Sequence, residues 1–202
     1  CAGLITASTG FSQPQFAFND MFIFDSLALF LKMMSYITLS IVFIYSKKYL
    51  FDKNLLNGEY FSLSFFALLG VMLMISSKNL LLMYMGLELL SLSLYALIAL
   101  NRDDKKSNEA AIKYFVLGAL ASGLLLYGMS MLYGFSGSLD LYTIGNVIQT
   151  QNINSEILVF GLVFIVVGIA FKLGAVPFQM WVPDVYEGSV SPITMMISTI
   201  PK

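Results

Sequence analysis

The chain has 202 residues, a formal net charge of −1, 58% apolar residues and 11% charged ones. Soluble domains carry about 25% charged residues, so this balance, with a mean hydropathy of +0.81, excludes both a soluble globule and a disordered chain. Eleven Lys and Arg against twelve Asp and Glu leave no basic excess for nucleic acid, and a lone Cys1 with no histidine excludes a disulfide framework and argues against a transition-metal or haem site. The composition is that of an integral membrane protein, with the lipid bilayer as its first partner.

The chain opens on Cys1 rather than Met and stops at Pro201-Lys202 inside an apolar segment. Its first twenty residues lack the basic and apolar regions of a secretory signal. It reads as an internal fragment of a longer protein, one transmembrane domain over 1–202 in which 1–20 is a non-cytoplasmic lead-in.

A helix spans a bilayer with about 20 mostly apolar residues. The first such run is Phe22 to Tyr45, interrupted by Asp25 and Lys32, and the second is the uncharged Tyr60 to Ser76. The third, Leu80 to Leu100, contains Glu88; the fourth, Ala110 to Tyr133, has Lys113 near its start. The fifth, Ile157 to Val182, holds Lys172 and is interrupted at Pro177. Pro192 to Lys202 is too short to span and reads as a truncated sixth helix. The expected fold is therefore all-α and membrane-integral, with about five spanning helices and one of them broken.

Short links suit antiparallel neighbours: Asn57-Gly58 marks one turn, Ser76 to Asn79 a tight hairpin, and Asn101 to Asn108 a charged loop. The longest link, Phe135 to Ser155, is polar enough to hold an excursion of its own. If the helices alternate, Lys47, Lys48, Lys53, Arg102, Lys105 and Lys106 fall on one side and only Lys78 on the other. The positive-inside rule makes the first side cytoplasmic, or the matrix side in a mitochondrion. Trp181, Tyr45, Tyr49, Tyr60 and Tyr133 are expected to anchor at the interfaces.

Charges within spans are the residues that point to chemistry, because each costs roughly 2.5–3.5 kcal/mol at mid-helix and needs a partner or water. Glu88 is the ninth residue of its run, in a helix with no other charge. It reads as a proton or ion site, against the plainer alternative of a neutral acid bonded to a neighbouring serine. Lys172 is sharper still, since burial disfavours an ammonium and a nearby carboxylate favours it. Pro177 cannot donate to the helix ladder, and with Gly174 it marks a discontinuous helix of the kind transporters use at midplane sites; the alternative is a snorkelling lysine at a kinked helix end. Lys113 suits snorkelling or packing as well as a proton path. Lys32 and Asp25 read as structural, and Gly118, Ala119, Ala121, Ser122 and Gly123 suit close helix packing. No nucleotide loop, metal cluster or nucleophile triad is visible, so any redox chemistry belongs to another chain.

Four ordered blocks carry a resemblance. Gly86-Leu87-Glu88-Leu89-Leu90-Ser91, Glu109 to Phe115, Phe171 to Phe178, and Trp181-Val182-Pro183-Asp184-Val185-Tyr186-Glu187-Gly188 resemble the antiporter-like membrane subunits of respiratory complex I. The absence of histidine after Pro183-Asp184 separates the chain from the other large subunits of that family and from the multisubunit sodium/proton antiporters. The resemblance implies a subunit of about fourteen helices, of which 80–202 is most of one antiporter-like repeat. It implies that the subunit belongs to a NADH:quinone oxidoreductase of a bacterial inner membrane, with the mitochondrial inner membrane as the second choice, and pumps protons, with the other membrane subunits as partners and without a cofactor of its own; quinone and NADH are used by the whole complex. It also implies that Glu88 pairs with Lys172, that Lys202 takes the proton onward, and that Lys113 is a further lysine of the path. A sodium(cation)/proton antiporter built on the same repeat is the alternative.

Overall fold

The computed structural model describes residues 15–150 and 156–201, so most of the lead-in and Lys202 lie outside the described residues. In chain order the elements are β1 (Gln15–Ala17), β2 (Phe22–Phe24), α1 (Ser26–Asp52), α2 (Gly58–Ile75), α3 (Leu80–Ile98) and α4 (Lys105–Ser136). They continue as α5 (Leu141–Thr150), α6 (Glu156–Leu173), α7 (Trp181–Gly188) and α8 (Ser191–Thr199). Helices α1, α2, α3, α4 and α6 are long and apolar enough to cross a membrane, as expected, and the chain is a multi-pass membrane protein.

Several helix starts are set by a polar side chain that satisfies an orphan N–H. Asp25 accepts from the Ala28 amide at 2.7 Å, Asn79 from Leu81 at 2.8 Å and Asp104 from Lys106 at 3.1 Å. α4 ends at Gly137 in the left-handed region, φ 69°.

The first span begins later than its hydropathy suggests. Phe22–Phe24 is a strand paired antiparallel with Gln15–Ala17, and Asp25 caps α1 rather than interrupting it. The reason is tertiary: the Ile23 amide donates to the Ser76 carbonyl at 2.8 Å and the Lys78 amide to Met21 at 2.9 Å. The other side of the 76–79 turn bonds to the segment after α4, with Leu80 N–H on the Leu139 carbonyl at 2.9 Å and Leu141 N–H on Lys78 at 3.0 Å. Three loops are thus joined at one end of the bundle, and the long link does contain a short helix, α5.

α2 and α3 form an antiparallel pair whose backbones meet at Gly70 and Gly86. A Cβ added at Gly70 would stand 2.6 Å from the Gly86 carbonyl oxygen, so only glycine allows this approach. α4 packs against α6, α7 lies on α4, and α8 packs against α1 and α3. On α4, Gly118, Ala121 and Ser122 face this packing, whereas Ala119 and Gly123 are exposed.

Two expected interface anchors are core residues instead. Tyr60 is fully buried, its hydroxyl donating to Ser46 Oγ at 3.1 Å, and Trp181 is 4% exposed. Both rings find an internal polar partner, which removes the need for a wet interface. Tyr45 and Tyr133 do stand exposed.

The two ends of the bundle differ in charge. Arg102 with Glu59 (2.9 Å), Lys106 with Glu187 (3.4 Å) and Lys113 with Asp184 (2.9 Å) gather at one end. The hairpin end carries Lys78 with Asp140 at 3.6 Å.

Candidate functional site

The site lies where α3, α4 and the end of α6 meet. Glu88 sits mid-way along α3, and Lys172 is the next-to-last residue of α6. α6 ends because Gly174 takes φ 67°, where a side chain is strained and a Cβ would meet Val182 Cγ2 at 2.9 Å. The Gly174 amide donates to the Phe171 carbonyl at 3.0 Å and the Ala175 amide to Ala170 at 2.9 Å, the paired bonds of a Schellman end. Pro177 stands four residues past Leu173, where a continued helix would collide with its ring. The break expected at Gly174 and Pro177 is therefore real, and it places the Lys172 ammonium at the negative end of a half-helix.

The Lys172 side chain is 12% exposed and that of Glu88 is 25% exposed. Lys172 Nζ lies 3.9 Å from Glu88 Oε1, but its nearest partner is Ser91 Oγ at 2.7 Å, followed by the Tyr95 hydroxyl at 3.3 Å. Glu88 in turn accepts a short hydrogen bond from Ser122 Oγ on α4. Ser91 and Tyr95 fall three and seven residues after Glu88, so all three share one face of α3; the same periodicity, applied to polar rather than apolar residues, would have revealed them from sequence.

A cavity of about 160 Å³ borders Lys172, Ser91 and Tyr114, and reaches Met74 and Pro201. Its volume would admit several waters; Lys202 lies outside the described residues.

Lys113 is placed elsewhere. Its ammonium bridges Glu109 and Asp184, at 2.9 Å each, on the rim of a second cavity of about 180 Å³ also lined by Lys106 and Glu187. Among the described hydrogen bonds, none joins it to Glu88 or Lys172. Lys32 is 6% exposed and lies over the faces of Phe22 (4.7 Å) and Phe24 (5.3 Å), a cation–π seat for the hairpin. No group of three metal-ligating side chains occurs among the described residues.

Comparison with known proteins gives a consistent answer. The chain is 52% identical to NADH-quinone oxidoreductase subunit N of Thioalkalivibrio sulfidiphilus over all of its own length and 42% of that protein. It is 51% identical to the protein of the same name from Methylovorus glucosotrophus, again over 42% of its length; the chain thus spans less than half of these curated relatives. Among solved structures it resembles a chain of respiratory complex I from Thermus thermophilus with bound aureothin, with TM-score 0.77 and 31% identity over 99% of this chain and 43% of that one. It also resembles a chain of an archaeal membrane-bound sulfane sulfur reductase, with TM-score 0.70 and 27% identity over 88% of this chain and 36% of that one. A family model described as NADH:quinone oxidoreductase/Mrp antiporter, TM, matches residues 77–202, the segment that holds α3, α4 and the broken α6, and the chain belongs to that family.

Proposed function

We propose that this chain belongs to a proton-translocating membrane subunit of a NADH:quinone oxidoreductase, in which Glu88 and Lys172 couple quinone reduction elsewhere in the complex to proton movement. The observation that supports it most is the Lys172 ammonium at the end of a broken helix, 3.9 Å from the Glu88 carboxylate. A charge pair this enclosed costs several kcal/mol to desolvate, and a family of proton and cation movers gives it a use.

The chemistry needs no redox group in this chain. A carboxylate near an ammonium favours its charged form; when the carboxylate turns away, the proton leaves for the next acceptor. We assign Lys202, two residues after the α8 C-cap Ile200, as that acceptor. Lys113, held by two carboxylates at the rim, serves as a secondary site near the cytoplasmic mouth. NADH and quinone are the substrates of the whole complex, whose other membrane subunits are the partners of this one, in a bacterial inner membrane.

Lys172→Met in the complete encoded polypeptide, assayed in native membranes, tests this reading. Loss of NADH-driven proton translocation with normal assembly supports it. Loss of sodium/proton exchange with NADH oxidation untouched would replace it by the cation antiporter reading, and loss of assembly alone would make Lys172 structural.

A further inference from the structure

The Lys172 backbone and the Lys172 ammonium are held by one continuous set of aromatic side chains. Trp181, the first residue of α7, is 4% exposed and donates its indole N–H to the Phe171 carbonyl at 2.9 Å. That carbonyl belongs to the last turn of α6, one residue before Lys172, and also accepts from the Gly174 amide at 3.0 Å, so the indole adds a second bond at the helix end. The indole also stacks on Tyr114 of α4, with centroids 4.5 Å apart and planes at 23°. Tyr114 meets Tyr95 of α3 edge-on at 4.7 Å and 86°, and the Tyr95 hydroxyl accepts from Lys172 Nζ at 3.3 Å. The series starts at the main chain beside Lys172 and returns to its side chain.

We propose that Trp181 is a positioning residue for Lys172, acting on the end of α6 through the Phe171 carbonyl and on the ammonium through Tyr114 and Tyr95. This inference rests on the proton-carrying role given to Lys172 above. The geometry is over-determined: α7 can shift only if the indole bond breaks or the Tyr114 stack slides. α7 is itself tied to α4 at its far side by Asp184 to Lys113 and by Glu187 to Lys106. A displacement of α7 is thereby passed to the Lys172–Glu88 separation, while a fixed α7 keeps it constant.

Two variants of the complete polypeptide in native membranes separate positioning from folding. Trp181→Phe keeps a ring against Tyr114 but removes the indole donor; Tyr114→Leu keeps the donor but removes the ring between Trp181 and Tyr95. The ionisable groups facing Lys172 are Glu88 and Tyr95 from α3 and Tyr114 from α4, so a change in its placement is read in the pH profile of translocation. Both variants are expected to assemble and to displace the pH of half-maximal translocation by about half a unit to one unit. An unchanged profile with less complex, or failure of both variants to assemble, overturns the proposal and leaves these aromatics as packing alone. Lys172→Met run beside them distinguishes the two failures. If it leaves translocation intact, the function proposed for Lys172 falls and the positioning role with it. If it abolishes translocation while both aromatic variants keep the normal profile, only the positioning role falls.

Discussion

Glu88 and Lys172 each have a closer partner than one another. Ser122 donates to the carboxylate and Ser91 accepts from the ammonium at 2.7 Å, so two hydroxyls stand between a 3.9 Å pair and a tight one. This arrangement divides the stabilisation of two enclosed charges among several modest bonds and leaves the pair free to open. Ser122→Ala withdraws one bond to a charged group, a loss of about 1.5–3 kcal/mol where the group stays ionised and buried. We expect Ser122→Ala to lower proton translocation by about ten-fold or more, by the same arithmetic, with quinone reduction falling in step. Ser122→Thr, which restores a hydroxyl, should recover most of it. Parallel measurements of the proton gradient and of NADH oxidation in native membranes check both; equal activity in all three proteins would remove Ser122 from the site.

At the scale of elements, helix pairing depends on where side chains are missing. Gly70 and Gly86 let α2 and α3 touch backbone to backbone, and a Cβ at Gly70 would stand 2.6 Å from one carbonyl oxygen and 2.7 Å from the Leu90 nitrogen. Gly70→Val must therefore separate the helices, an overpacking penalty of about 1–3 kcal/mol. The expected result is a lower thermal transition in detergent and less protein in the membrane. Gly123→Ala, at a position with nothing within 4 Å, should be neutral in the same assay. The spans themselves were legible because lipid demands long apolar helices, and the break was legible because Gly174 and Pro177 both oppose a continued α6. The hairpin was not: Phe22–Phe24 is as apolar as a span, and its pairing with Gln15–Ala17, together with the bond from Ile23 to Ser76 and that from Lys78 to the adjoining Met21, makes it a strand. Trp181 and Tyr60 were misplaced for a related reason. An amphipathic ring fits an interface or a core with a hydrogen-bond partner equally well, and the partner carbonyl or hydroxyl is fixed only by tertiary packing. Within the site, Glu88 and Lys172 stand out as charges among apolar residues and helical spacing puts Ser91 and Tyr95 on the Glu88 face of α3, whereas Ser122 on α4 meets them only through tertiary packing.

Over the whole molecule, charge and connectivity agree on sidedness. Residues 59, 102, 106 and 187, far apart in sequence, meet in ion pairs at one end of the bundle, and the hairpin, the 76–79 turn and the start of α5 are joined at the other. Exposed pairs like these contribute at most about 1 kcal/mol each, so they do not hold the bundle together; their value is in orientation. Lys and Arg near short loops set which end stays in the cytoplasm, and the end with Arg102, Lys105 and Lys106 carries that excess. The prediction is directional. In the complete encoded polypeptide with Cys1 and every other cysteine replaced by serine, Asp103→Cys and Tyr142→Cys each introduce one thiol at an exposed position, at opposite ends. A membrane-impermeant maleimide should label Asp103→Cys in inside-out vesicles alone and Tyr142→Cys in right-side-out vesicles alone. The reverse pattern would invert the chain in the membrane, and would put the Lys113 rim cavity on the side from which protons leave rather than the side from which they are taken up.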